Sequence, residues 1–96
     1  MTDLRYKGLR IIHSLSAARE LAKLGENSVF VLKVLDEGYN APRKRKKGTI
    51  EKWLDKGKKT FNVVIVKDYE ETYHEEVWVI IHFGKFTKKK KRRFKW

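Results

Sequence analysis

The sequence predicts an α+β domain: two N-terminal helices packed on a small, mainly antiparallel sheet of three or four strands, with a basic C-terminal tail. Three observations carry this. Before Gly38, two stretches are bounded by capping side chains and glycines. After Gly48, three strand-like segments are separated by turn signals. From Lys88 the chain is almost continuously charged. With 96 residues there is room for one core, so the domain spans 1–87 and the tail 88–96.

Met1–Arg10 has no clear period; Leu4, Tyr6 and Leu9 fit a short strand or a pre-helical turn. Ile11, Ile12, Leu15, Ala18, Leu21 and Ala22 then recur at spacings near three and four, the mark of one helix face. Ser14 or Ser16 supplies an N-cap oxygen and Gly25 a left-handed C′ residue, which places helix 1 near Ser16–Leu24. Asn27–Ser28 and Gly38 bracket VFVLKVLDE in the same way. The β-branched residues there also suit a strand, but caps at both ends favour a second, largely buried helix.

Tyr39–Pro42 is a connector, and Arg43–Lys47 a solvated basic run, because five like charges cannot be packed together. Thr49–Leu54 and Lys59–Val66 flank the turn at Gly57 and read as a β-hairpin. Asp68–Glu76 is acidic and reads as a loop to the last strand, Val77–Phe83, which Gly84 ends or bulges. Period-2 alternation sets Val77, Val79, Ile81 and Phe83 beneath the helices with Phe61, Val63 and Ile65, leaving Asn62, Trp78 and His82 on the opposite face.

There are 24 Lys and Arg against 12 Asp and Glu, a formal net charge of +12. Such self-repulsion is easiest to understand beside a polyanion, and the clustering points the same way. Phosphate contact is expected from Arg43, Lys44, Arg45, Lys46 and Lys47, from Lys58 and Lys59, and from Lys88, Lys89, Lys90, Lys91, Arg92 and Arg93, with Trp78 as a stacking surface. Cysteine is absent, which excludes disulfides, thiolate metal sites and a thiol nucleophile. The N-terminus lacks the apolar core of a signal peptide, and no stretch reaches the length needed to cross a bilayer, so the default compartment is the cytoplasm. No Gly-rich phosphate loop, nucleophile elbow or metal-ligand spacing appears, and no cofactor or metal is expected.

Helix–Gly–helix, then Arg45-Lys46-Lys47-Gly48, the turn Gly57-Lys58-Lys59, a Val-rich strand and His82-Phe83-Gly84-Lys85-Phe86-Thr87 resembles a family of small prokaryotic domains of unknown function allied to the RelE/ParE-type toxin superfamily. The resemblance covers about Ser16 to Thr87. It implies a compact α+β fold, RNA handling and, through the toxin analogy, an acidic antitoxin-like protein partner. Relatives commonly begin helix 1 with His-Ala and then Arg; here the place reads Ser16-Ala17, with Arg19 close to the Arg position. A serine is no general base at neutral pH, so the resemblance implies a catalytically degenerate domain unless another histidine serves.

Metal-free RNA cleavage through the 2′-hydroxyl needs a proton acceptor, a proton donor and a cation. By residue type His82 fits the first two roles, and Lys85 and Arg19 the third. Three readings follow: a nucleic-acid-binding domain with RNA slightly favoured over DNA, a metal-independent endoribonuclease, and a protein-interaction module.

Overall fold

The computed structural model describes residues 4–42 and 45–87. It opens on a hairpin: Arg5–Tyr6 (β1) pairs antiparallel with Leu9–His13 (β2). Lys7 and Gly8 between them have φ of 50° and 81°. Positive φ at both central positions gives the turn whose twist matches that of the paired strands. Two helices follow, Leu15–Lys23 (α1) and Ser28–Glu37 (α2), where the caps predict them. Then come Tyr39–Asn40 (β3), Thr49–Lys56 (β4), Lys59–Glu70 (β5) and Glu75–Thr87 (β6).

The expected sheet of three or four mainly antiparallel strands is corrected. Among the described residues there are six strands, in the order β1-β2-β6-β5-β4-β3, and β2 runs parallel to β6, so the sheet is mixed. The N-terminal strands escape the sequence reading because each is short. Ile11 and Ile12 continue seamlessly into the helical spacing of α1, yet they lie one on each face of β2: Ile11 beside Trp78 and Ile12 beside Val79. The acidic stretch is also more ordered than a loop. Only residues 71–74 form the turn, and Tyr69–Glu76 and Glu70–Glu75 are paired across the hairpin.

Both helices start on predicted caps: Ser14 Oγ accepts from Ala17 N at 3.1 Å and Asn27 Oδ1 from Phe30 N at 3.1 Å, each contributing about 1 kcal/mol. Gly25, with φ of 69°, closes α1: its N–H reaches Ala22 O and that of Glu26 reaches Leu21 O, the paired bonds of a Schellman ending. Gly38 is not a left-handed cap. Its φ is −78°, and its glycine is needed because a Cβ there would fall 2.5 Å from Trp53 O and 2.4 Å from Val34 O. The missing side chain lets the end of α2 lie against the backbone of β4.

The core forms between the helices and one sheet face. Ala17, Leu21, Phe30, Val31, Val34 and Leu35 pack on Phe61, Val63, Ile65, Trp78, Ile80 and Phe83. The expected parity of β6 is therefore corrected. Val64 pairs with His82 but Ile65 with Ile80, so Ile81 is an extra residue, a β-bulge. Before the bulge Trp78 and Ile80 face the helices; after it Phe83 does. Uninterrupted alternation cannot put all three on one face.

Candidate functional site

β2 ends at His13, so among the described residues β6 beyond Ile80 has no strand partner on that side. Helix α1 takes its place. Glu20 Oε1 accepts the Phe83 N–H at 2.8 Å and lies 3.3 Å from His82 Nδ1. The bulge at Ile81 turns His82 toward this edge; its side chain is 46% exposed and that of Glu20 36%. The other ring nitrogen lies beside Gly84: a Cβ on Gly84 would stand 3.0 Å from His82 Nε2 and 2.7 Å from Asn62 Oδ1. His82 is thus held between a carboxylate and a residue without a side chain. A histidine whose Nδ1 faces a carboxylate is oriented to keep its proton there and to present Nε2 as the acceptor. Glu20 is the partner that sequence reasoning missed, since the two residues are 62 positions apart in the chain and only the strand edge brings them together.

The sheet face opposite the helices carries a second cluster. Glu51 is buried, its side chain 1% exposed, and accepts from Arg45 Nε at 2.9 Å, Trp53 Nε1 at 2.8 Å and Asn62 Nδ2 at 3.2 Å. The register explains this: Trp53, Asn62 and Gly84 form one row across β4, β5 and β6, with Glu51 two residues along β4 on the same face. Beside them Asp55 Oδ1 accepts from Thr60 Oγ1 at 2.7 Å and from Tyr39 Oη at 3.0 Å. Tyr39, Trp53 and Phe86 stand next to one another, with ring centroids 6.3 Å and 5.1 Å apart.

Two tyrosines ionise above the usual 10.0: Tyr39, through desolvation and then its bond and proximity to Asp55, and Tyr6, through burial and then the Asp36 charge. Folding therefore favours the neutral phenols. Their contribution to stability is complete below about pH 10 and is lost as pH rises through the folded values. Phenolate absorbance during alkaline titration should show late ionisation in the native chain that disappears in denaturant, and Tyr39→Phe should remove part of it.

The predicted site residues do not converge. Lys85 pairs with Phe61 on the helix-covered side, its Nζ 5.7 Å from that ring, whereas His82 leaves on the other face. Arg19 is exposed on α1, the residue before Glu20. Trp78 is 5% exposed and donates through Nε1 to Tyr6 O at 3.0 Å, so its expected place on a stacking surface is corrected: it is core. Arg45 is held by Glu51, while Lys46, Lys47, Lys58 and Lys59 are exposed. Arg43, Lys44 and the run 88–93 lie outside the described residues. His13 ends β2 beside an open hollow of about 220 Å³ lined also by Leu21, Ala22, Glu26 and Asn27, and His74 sits in the acidic turn. Among the described residues no three acidic or histidine side chains gather as a metal site, and no helix is long and apolar enough to cross a membrane.

Comparison of the chain with protein-family models, with curated proteins and with solved structures finds no match.

Proposed function

We propose that the chain is a nucleic-acid-binding domain, with RNA favoured over DNA, of the toxin-like kind that its sequence resembles. The observation that carries this is the group of exposed lysines at one end of the sheet. Lys56, Lys59 and Thr87 share one row at the β4–β5 turn, with Lys58 in the turn and Lys85 two residues back along β6. The acidic residues Asp68, Glu70, Glu71, Glu75 and Glu76 lie at the other end of the same two strands. At about 3.3 Å per residue, β5 alone sets the two ends roughly 35 Å apart, several Debye lengths at physiological salt. That acidic end is matched by cations of its own, since Arg10 bonds Glu75 at 2.8 Å and the Lys67 N–H reaches Gly48 O, which brings Lys46 and Lys47 alongside; the lysines of the β4–β5 turn have no carboxylate among residues 56–59 to offset them.

Titration of labelled oligonucleotides against salt tests the reading. With about six phosphates neutralised, log K should fall with a slope near −4 to −5 against log salt. Absence of binding to either RNA or DNA at low salt would sink it.

A second reading, a metal-independent endoribonuclease, is favoured by one observation: His82 has a carboxylate partner in Glu20 and keeps Nε2 on the opposite side of its ring. In this reading a histidine on β6 serves in place of the one missing from α1.

A further inference from the structure

We propose that Tyr39, Trp53 and Phe86, on the sheet face that the helices leave uncovered, form a stacking platform for the bases of a single-stranded nucleic acid. This rests on the nucleic-acid reading above and names the surface and the strandedness it implies.

The rings come from three strands. Tyr39 of β3 pairs with Trp53 of β4, and Phe86 of β6 belongs to the neighbouring row with Asp55 and Thr60. Tyr39 is 46% exposed and Phe86 40%. Interplanar angles of 65° and 74° mean that each outer ring is braced by Trp53 without being covered by it. A braced ring offers area at low entropic cost, and here the bracing is tied down chemically: Trp53 Nε1 is bonded to the buried Glu51 and Tyr39 Oη to Asp55. Gly84, in the row of Trp53, adds no side chain above the sheet between Trp53 and His82.

Charge selects the occupant. Lys56, Lys58 and Lys59 form the turn immediately beyond the Asp55–Thr60–Phe86 row. A strand whose phosphates follow these lysines turns its bases inward over Phe86, Trp53 and Tyr39. Asp55 repels phosphate from the middle of the platform, which favours that orientation, and a carboxylate there is also a suitable acceptor for a base amino group. A duplex fits poorly, because its base faces are already stacked; an apolar peptide would leave the lysine rim without a partner.

The test separates bases from phosphates. The probes are a short single-stranded oligoadenylate, an abasic strand with the same number of phosphates, and the oligoadenylate annealed to its complement. The wild-type chain should bind the oligoadenylate more tightly than either of the others at equal salt. Tyr39→Leu and Phe86→Leu should each weaken oligoadenylate binding roughly 5- to 150-fold and leave abasic binding unchanged, whereas Tyr39→Phe and Phe86→Tyr, which keep a ring, should retain it. Circular dichroism confirms that each variant is folded. Equal losses on both strands, or no loss on either, would overturn the platform while the phosphate-binding reading stands. Failure of the wild-type chain to bind either strand would overturn both.

Discussion

Replacing Glu51 by alanine is expected to cost about 3–5 kcal/mol, the range for removing one partner of a buried charged network. The side chain is 1% exposed and receives three donors. Without it, the Asn62 amide and the Trp53 indole N–H lose their acceptor on a face where neither gains full access to water, and the Arg45 guanidinium loses its anchor. A small domain has a total stability of only about 5–15 kcal/mol, so the loss is a large share of it. At about 4–8 °C per kcal/mol for this size, the melting temperature should fall by at least ~12 °C. Glu51→Gln should be milder, since one amide oxygen can still accept from both Trp53 and Asn62, while the charged bond to Arg45 is lost. A double-mutant cycle of Glu51→Gln with Arg45→Ala isolates that bond. An alanine variant that melts within a few degrees of the wild type would show that water replaces the carboxylate and that the cluster is not structural.

The same cluster shows why the sequence is legible in some places and not in others. Helix ends are local signals: Ser14, Gly25 and Asn27 act on backbone groups two or three residues away, and each is found where the residue type predicts it. The Gly57 turn between β4 and β5 is local in the same sense. Strand parity is local only until a bulge intervenes. Nothing in Val-Ile-Ile-His says that Ile81 is the extra residue; the register is set across the sheet by β5, and with it the exchange of Trp78 into the core. Lys7-Gly8 is not one of the dipeptides that mark a hairpin turn, and strands of two and five residues are too short for alternation to be recognised. The sites are less legible still. Glu51 with Asn62 and Glu20 with His82 join residues whose only link is a strand pairing or a strand edge, and in the sequence both glutamates look like ordinary surface charges. The basic clusters, which need no partner to be recognised, were visible from composition alone.

If the second reading holds and His82 supplies the proton transfers, His82→Ala should lower metal-free RNA cleavage about 10²–10⁴-fold, the usual contribution of a positioned acid–base group, while binding changes little. Glu20 Oε1 is fixed by the Phe83 N–H and lies 3.3 Å from His82 Nδ1, which in that reading leaves Nε2 to act as the base. In that reading Nε2 would take the proton of a 2′-hydroxyl. The freed oxygen would attack the adjacent phosphorus, the P–O2′ bond forming as the P–O5′ bond breaks, and the imidazolium would return its proton to the leaving 5′-oxygen, giving a 2′,3′-cyclic phosphate and a 5′-hydroxyl. Glu20→Gln should retain an acceptor for Nδ1–H and cost less than His82→Ala. It should also change the tautomer balance read from the His82 ring ¹⁵N shifts, which reports the contact itself, while the cleavage rate reports its role. Lys85 projects over Phe61 on the other face, so Lys85→Ala should weaken binding more than it slows cleavage. RNA with 2′-O-methyl groups, which lacks the attacking hydroxyl, must remain intact; cleavage that persists there, or in the His82 variant, belongs to a contaminant or to a different route. If the wild-type chain cuts none of several RNAs in EDTA, the His82–Glu20 pair is a strand-edge brace and the domain binds without cutting.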